Sequence, residues 1–196
     1  MIVLGLTGSI AMGKSTAAHM LAEMGLPVHD ADATVHALLG PGGAAVPAIA
    51  RAFPGVVENG AVDRPRLGGQ VFGRPAALKR LEAIVHPLVR AEERRFLTHH
   101  RRRRTPLVVL NVPLLLESPR ARRRCDHIAV VSAPVFLQRR RALARPGMTP
   151  QRLNGILRRQ MPDAAKRRLA DSVIPATSRV ATRRALRRLL GEIGGR

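Results

Sequence analysis

A glycine-rich segment near the start of the chain has the residue types and spacing that hold phosphate groups. Residues 8–16 read Gly-Ser-Ile-Ala-Met-Gly-Lys-Ser-Thr, which matches the phosphate-binding pattern G-x-x-x-x-G-K-[ST]. Backbone N–H groups of such a loop and the positive end of the following helix hold phosphate oxygens. Lys14 is expected to reach the β- and γ-phosphates of a nucleotide, and the Ser15 hydroxyl is expected to bind Mg²⁺. A glycine-rich turn that matches by chance is the alternative.

The elements on either side of this loop are those that the pattern requires. The apolar run Ile2–Leu6 has the length of a buried strand, and residues 15–24 can form a helix that ends at Gly25. A phosphate-binding loop connects such a strand to such a helix. The local sequence therefore favours the phosphate-binding interpretation.

Short apolar runs, most of them rich in β-branched residues, predict the other strands of one sheet. They lie at residues 26–30, 107–110, 128–131 and 172–174. Helices are predicted at residues 134–144, from Pro150 onward and at 178–193. This alternation indicates an α/β fold with a parallel sheet and helices on both faces, in which ligands bind beyond the carboxyl ends of the strands.

Two aspartates follow the second predicted strand. That strand ends in Asp30-Ala31-Asp32, and a helix through Leu39 is expected to follow. At the carboxyl end of the sheet, Asp32 is placed to accept a proton from a hydroxyl that attacks a phosphate held by Lys14. The alternative is that both aspartates only cap the next helix.

The stretch between the second and third sheet strands is predicted to form small helices outside the sheet. Segments at residues 41–43, 54–55 and 58–60 that contain Pro, Gly or Asn mark turns. Asp63 can cap one of the helices. The sequence His86-Pro87 is predicted to start a new, longer helix that runs toward the arginines at 101–104.

The chain carries a large excess of positive charge. Its 196 residues include 34 Lys or Arg and 13 Asp or Glu, for a formal net charge of +21. Arginine runs at 101–104, 122–124 and 139–141 could contact nucleic acid, but four Phe, no Trp and no Tyr cannot form a platform for stacked bases. Solvated helical faces are the favoured explanation for these runs, with the exception of the run at 139–141, which follows a predicted core strand. Specific nucleic acid binding is not expected.

No part of the sequence predicts export or membrane anchoring. No stretch approaches the ~18 apolar residues of a membrane span, and the opening apolar run is too short for a signal peptide. The single Cys125 excludes an internal disulfide framework and has no Cys or His at metal-ligand spacing. The expectation is a cytoplasmic protein without a membrane partner.

Several motifs in chain order resemble those of dephospho-CoA kinases, the family that carries out the last step of coenzyme A biosynthesis. They are Gly5-Leu6-Thr7-Gly8 with Gly13-Lys14-Ser15-Thr16, Asp30-Ala31-Asp32, Val62-Asp63-Arg64 with Val71-Phe72, Leu81-Glu82 with Ile84 and His86-Pro87, Pro113–Glu117, Gln138 with Arg141 and Arg145, Gln160, and Ala170–Ile174. The motifs cover nearly the whole chain, and the segments around Asp32 and His86 are specific to this family.

The resemblance implies transfer of the γ-phosphate of ATP to the ribose 3′-hydroxyl of dephospho-CoA, with Mg²⁺ as cofactor. It implies one domain over residues 1–196, with a P-loop kinase core of parallel sheet and flanking helices. A helical substrate-binding insertion at about 33–100 and a lid at about 137–160 complete the expected organisation. ATP and dephospho-CoA are the expected partners, and the protein is expected to be a monomer or a small homo-oligomer.

Site residues follow from the resemblance position by position. Asp32 resembles the general base, and Lys14, Arg141 and Arg145 resemble groups that hold the transferred phosphate. The implied ATP-binding residues are Gly8, Ala11, Met12, Gly13, Lys14, Ser15 and Thr16. The implied substrate-binding residues are Thr7, Asp30, Arg64 and His86. For the two arginines a solvated helical face is the alternative, and for His86 the alternative is a structural role.

Three positions depart from the family pattern. Ala11 stands where the family usually has Gly, so it is expected to avoid backbone angles that only glycine adopts. Asn111 stands where an Asp is common, and loss of that carboxylate is expected to weaken Mg²⁺ organisation unless Asp30 compensates. Ala176 stands where an Asn is common.

Two other functions compete with this interpretation. A nucleoside or nucleoside monophosphate kinase would share the core and differ in its acceptor pocket. A basic nucleic-acid-binding protein could use the phosphate loop as a nucleotide-dependent switch. The aspartate pair beside the loop and the shortage of aromatic residues favour a small-molecule kinase.

Overall fold

The computed structural model describes residues 1–117 and 119–194, and of residues 119 and 120 the backbone alone. The strands are β1 Ile2–Thr7, β2 Val28–Asp30, β3 Val57–Glu58, β4 Ala61–Val62, β5 Leu107–Asn111, β6 His127–Ser132 and β7 Ser172–Pro175. The helices are α1 Lys14–Glu23, α2 Ala31–Leu39, α3 Val46–Ala52, α4 Arg64–Val71, α5 Pro75–Arg102, α6 Pro119–Arg122, α7 Val135–Leu143, α8 Pro150–Arg159, α9 Asp163–Leu169 and α10 Arg179–Gly194. The chain forms two compact units, Met1–His29 with Arg101–Arg196, and Asp30–His100.

The first unit contains the predicted parallel sheet. Its strand order is β2-β5-β1-β6-β7, with β1 central and hydrogen-bonded in parallel to both β5 and β6. Strand β7 extends the sheet in parallel beyond β6. Because the strands are parallel, the segments that follow β1, β5, β6 and β7 emerge at one edge of the sheet. The α/β fold that was predicted from the sequence is confirmed.

Both faces of this sheet are covered, which explains why its strands are apolar without alternation. Successive side chains of a strand point to opposite faces. Leu4 and Leu6 of β1 pack in one core with helices α1 and α10, whereas Ile128 and Val130 of β6 pack in a second core with Leu115 and its neighbours. The central strands are therefore rigid supports for the loops at their ends.

Helix α1 is tied to α10 by a pair of opposite charges. Arg183 donates a hydrogen bond to Glu23, and this bond is the main reason that the pKa of the Glu23 carboxyl is lowered from its ordinary value of 4.5. The pair joins the last turn of α1 to α10 on the same side of the sheet. It helps to hold the helix whose first turn follows the phosphate loop.

The second unit has a core of its own, formed by helices α2 to α5 and a small hairpin. Ile49, Phe53 and Val56 lie at its centre and are essentially inaccessible to solvent. The guanidinium of Arg80 stacks over the Phe53 ring at 4.7 Å from the ring centroid, a cation–π contact. Asp63 caps α4 as predicted, because its carboxylate accepts a hydrogen bond from the Arg66 N–H.

The prediction that His86-Pro87 starts a new helix is wrong. Helix α5 runs continuously for 28 residues with Pro87 in its interior. Proline lacks an N–H, so the carbonyl four residues earlier loses its helical partner. Val85 and Leu88, on either side of the proline, pack into the core of the second unit. Tertiary packing thus maintains the helix through a residue that usually ends one.

A β-hairpin stands where only small helices and turns were predicted. Strands β3 and β4 pair antiparallel across Asn59 and Gly60, whose φ angles of 49° and 74° are those of a type I′ turn. An Asn-Gly pair between short apolar runs is a strong hairpin signal. The sequence therefore contained the signal for this hairpin.

No helix among the described residues is long and apolar enough to cross a membrane.

Candidate active site

The phosphate loop lies between β1 and α1 at the carboxyl edge of the sheet. Gly8 follows β1, and a Cβ at this position would lie 2.7 Å from the Val131 carbonyl oxygen. Gly13 precedes α1 with φ of 95°, a conformation that side chains disfavour. The two glycines of the motif are thus required by close packing and by backbone geometry. Helix α1 starts directly at Lys14, so its positive end faces the loop.

Ala11 adopts a left-handed backbone conformation, which favours glycine but is also open to other residues at an energetic cost. Its φ is 59°, and this region costs an L-residue roughly 1–2 kcal/mol. The methyl group of Ala11 is buried against Ala142 and Leu153. Burial of this methyl group and the contacts around the loop stabilise a conformation that is strained by itself.

Lys14 is oriented by a residue at the end of β5. Its Nζ donates a 2.8 Å hydrogen bond to Oδ1 of Asn111, which is completely buried. A neutral amide orients the ammonium group and leaves its positive charge available to an anion. In the sequence, Asn111 stood out only as a departure from the family pattern. Asn111 and Lys14 are 97 positions apart in the sequence, so their contact could not be predicted from a local pattern.

Arg141 of α7 reaches the same loop. One guanidinium nitrogen, Nη2, donates a 2.8 Å hydrogen bond to the Ala176 carbonyl oxygen. The other, Nη1, is buried without a hydrogen-bond partner in the described part of the chain, and it lies 3.7 Å from the position that a Cβ on Gly13 would occupy. Arg145, the second predicted arginine, is exposed just after α7 ends. The structure therefore brings Arg141 to the loop.

The remaining loop residues differ in exposure. Ser15 is exposed in the first turn of α1, and Thr16 is half-buried. Met12 is buried, and its sulfur accepts a hydrogen bond from the Ala133 N–H at 3.2 Å. The Thr7 hydroxyl is buried and donates to the Pro113 carbonyl oxygen at 2.9 Å. Thr7 thereby links the end of β1 to the segment after β5, and its predicted contact with substrate stays a prediction.

Four predicted site residues belong to the second unit. Asp30 caps α2 by accepting a 3.0 Å hydrogen bond from the Ala33 N–H, and Asp32 is exposed in the first turn of α2. Arg64 is 3.0 Å from a ring nitrogen of His36. His86 is exposed within α5 rather than at a helix start. Asp30 therefore does serve as a helix cap, whereas Asp32 is an exposed residue of the first turn.

The residues around the loop suit a magnesium ion that is held mainly by a nucleotide. Mg²⁺ commonly binds to proteins through one or two oxygen ligands together with substrate phosphates and water. Ser15 offers a hydroxyl at the start of α1, and the described residues contain no group of three His, Cys, Asp or Glu side chains that could hold a metal alone. This donor set fits an ion that arrives with the phosphates.

Comparison with known proteins agrees with this geometry. The family model described as dephospho-CoA kinase matches residues 2–182. A dephospho-CoA kinase of Paramagnetospirillum magneticum is 69% identical over 167 residues, which cover 85% of this chain and 78% of the relative. One of Brucella abortus is 50% identical over 193 residues, 98% of this chain and 94% of the relative.

A solved structure extends the agreement to three dimensions. The crystal structure of TT1252 from Thermus thermophilus covers 97% of both chains with a TM-score of 0.81 and 36% sequence identity. The family match spans the phosphate loop, β5 with Asn111 and α7 with Arg141. By its sequence, its P-loop kinase fold and its relatives, the chain belongs to the dephospho-CoA kinase family of transferases.

Proposed function

We propose that this protein transfers the γ-phosphate of ATP to the ribose 3′-hydroxyl of dephospho-CoA, which yields coenzyme A and ADP. The observation that carries the proposal is the phosphate loop, with Lys14 oriented by Asn111, inside a chain whose family match extends over residues 2–182. The acceptor is assigned through the family, because the relatives are dephospho-CoA kinases.

The chemistry of the donor side rests on positioned positive charge. The loop N–H groups and the positive end of α1 hold the β- and γ-phosphates, and Lys14 neutralises charge that develops during transfer. Nη1 of Arg141, which is buried beside Gly13 without a hydrogen-bond partner among the described residues, binds an oxygen of the transferred group. The Ser15 hydroxyl would hold Mg²⁺ together with the nucleotide, and the ion would supply positive charge that reduces the repulsion between the phosphates and the attacking oxygen.

The chemistry of the acceptor side is assigned to the second unit. Asp32 accepts the proton of the attacking 3′-hydroxyl as the oxygen–phosphorus bond forms and the bond to ADP breaks. The position of Asp32 supports this role, because the residue is exposed in the first turn of α2 and a general base must be accessible to the hydroxyl that it deprotonates. Thr7, Arg64 and His86 contact the acceptor, and Arg145 closes over the phosphates with the lid. The cytoplasmic location remains a prediction, and so does the oligomeric state, a monomer or a small homo-oligomer.

A panel of acceptors tests the proposal. ADP release is measured with ATP, Mg²⁺ and, in separate reactions, dephospho-CoA, adenosine, AMP or no acceptor. We expect release that depends on dephospho-CoA, and its loss in Lys14→Ala. Arg188→Ala removes a positive charge from an exposed position of α10 and serves as the matched control. Release that is equally fast with AMP, or without any acceptor, would replace the proposal with one of the alternative functions.

The predicted base has its own test. Asp32→Asn preserves size but removes the proton acceptor, so kcat should fall about 10²–10⁴-fold while ATP affinity changes little. If the KM for dephospho-CoA rises at constant kcat, Asp32 binds the acceptor and another group takes the proton.

A further inference from the structure

We infer that Gln138 and Gln160 form an amide clamp on the backbone of Ile10, and that this clamp holds the phosphate loop in its binding conformation. The inference rests on the proposed kinase function only for its nucleotide-binding consequence. The two glutamines are positioning residues, because they act on phosphates through the loop backbone. Their side chains were part of the family pattern, but the pattern gave them no role.

The clamp engages both polar groups of one loop residue. The Oε1 atom of Gln160 accepts a 3.0 Å hydrogen bond from the Ile10 N–H, and Nε2 of Gln138 donates a 2.9 Å hydrogen bond to the Ile10 carbonyl oxygen. Gln138 is buried, with 4% of its surface exposed. In the sequence, Gln138 is 128 positions and Gln160 is 150 positions from Ile10. The two contacts thus converge on a single residue of the loop.

An amide is the side chain that this position requires. It provides a donor and an acceptor without net charge. A carboxylate beside the loop would repel nucleotide phosphates, and an ammonium group could form an ion pair with them. Two neutral glutamines fix the backbone and leave phosphate binding to the loop N–H groups and Lys14.

The residue after the clamped one is strained. Ala11 has φ of 59°, in the region that L-residues other than Asn and Asp seldom adopt. A loop that left this conformation would have to move the carbonyl of Ile10, which Gln138 holds. The clamp therefore opposes relaxation of Ala11 from its left-handed conformation. It raises the fraction of protein molecules whose phosphate loop is in the binding conformation.

A buried ion pair fixes one arm of the clamp. Glu117 accepts a 3.1 Å hydrogen bond through Oε1 from the N–H of Met161, the residue after Gln160. Nζ of Lys166 lies 2.8 Å from the same oxygen, and the lysine side chain has no exposed surface. The segment between α8 and α9 is thus anchored to the segment after β5, and Gln160 is held in register with Ile10.

The position of the two glutamines in the chain adds a consequence for the lid. The predicted lid spans about 137–160, so Gln138 and Gln160 lie at its two ends. Both ends are attached to one loop residue, and Ala142 and Leu153 between them pack in one cluster with Ala11. The clamp therefore fixes both ends of the predicted lid at the phosphate loop.

The test replaces each glutamine by methionine, which keeps the volume and removes the amide. We expect Gln138→Met and Gln160→Met to raise the calorimetric Kd for MgATP about tenfold, because the competent loop is less populated. In an Ala11→Gly background the same substitutions should raise Kd less than about threefold, since glycine adopts φ above zero without strain. Gln151→Met, at an exposed position of α8, is the matched control and should leave Kd unchanged.

A second measurement requires no nucleotide. Hydrogen exchange at the Ile10 N–H, followed by NMR in the free protein, should accelerate at least tenfold in Gln160→Met and remain unchanged in Gln151→Met. Unchanged exchange, or losses of affinity that are equal with and without the Ala11→Gly substitution, would overturn the clamp. Failure to phosphorylate dephospho-CoA would refute the proposed function. It would not affect the test of the clamp, because hydrogen exchange is measured without ATP or acceptor.

Discussion

Lys166 is the residue whose replacement should most disturb the region behind the loop. It is one of three lysines in the chain, its side chain is completely buried, and its Nζ lies 2.8 Å from Glu117 Oε1. Glu117 is 21% exposed, and its second carboxylate oxygen is buried without a hydrogen-bond partner among the described residues. Lys166→Met keeps most of the apolar stem and removes the charge, so it leaves a mostly buried carboxylate without its cation.

The expected cost follows from this burial. Removal of one partner from a buried ion pair costs about 3–5 kcal/mol, whereas exposed pairs contribute about 0–1 kcal/mol. Because Glu117 retains some access to water, we expect the lower end, a loss of about 3 kcal/mol in the free energy of unfolding. Lys166→Met with Glu117→Gln should recover at least half of this loss, since no unpaired charge is then buried.

Urea unfolding followed by circular dichroism at 222 nm measures these changes, because a chain without Trp or Tyr offers little intrinsic fluorescence. The matched control is Arg95→Met, which removes a cation that lies 2.6 Å from Glu92 and is 77% exposed. It should cost less than about 0.5 kcal/mol. If Lys166→Met is as stable as the control, or if the double variant is no more stable than the single one, the Lys166–Glu117 pair does not stabilise the fold as proposed.

Three further predictions concern the loop, the lid and the helix behind them. Gly13→Ala should raise the Kd for MgATP at least tenfold, because φ is 95° and the new Cβ would lie 3.1 Å from the Ala176 side chain; an unchanged Kd in calorimetry would contradict this. Arg141→Gln should lower kcat more than it changes ATP affinity, and steady-state kinetics with equal effects on both would assign Arg141 to binding alone. The hydrogen bond from Arg183 lowers the pKa of Glu23, so it stabilises the fold above the ordinary pKa of 4.5, and this stabilisation is lost as pH falls through the folded-state pKa. Arg183→Gln should therefore lower the urea midpoint more at pH 7 than at acidic pH, where the carboxyl is protonated.

Elements that depend on local sequence were predicted well. The phosphate loop, its flanking strand and helix, and the Asp63 cap each require residues within one short segment. The interior position of Pro87 was missed because packing of the neighbouring Val85 and Leu88 outweighs the local cost of proline. The hairpin at Asn59-Gly60 was missed although its turn signal was present, because strands of two residues carry almost no periodicity.

Contacts between distant segments could not be predicted in this way. From the sequence, Asn111 was interpreted only as the loss of a carboxylate that is common at this position. Its contact with Lys14 depends on β5 lying next to β1 in the sheet. The two glutamines meet Ile10 only because α7 and the segment after α8 fold back onto the loop. A sequence pattern identifies the residue types of a site, but the register of the sheet decides which of them touch.

The identity of the phosphorylated atom decides whether this protein transfers phosphate to the ribose 3′-hydroxyl of dephospho-CoA. The purified enzyme is incubated with MgATP and dephospho-CoA, and the product is examined by ³¹P and ¹H NMR. We expect one new phosphomonoester whose phosphorus couples to the ribose H3′, in amounts equal to the ADP formed, and we expect neither product with Lys14→Ala. Inorganic phosphate in place of this ester, or an ester at any other position, would contradict this expectation.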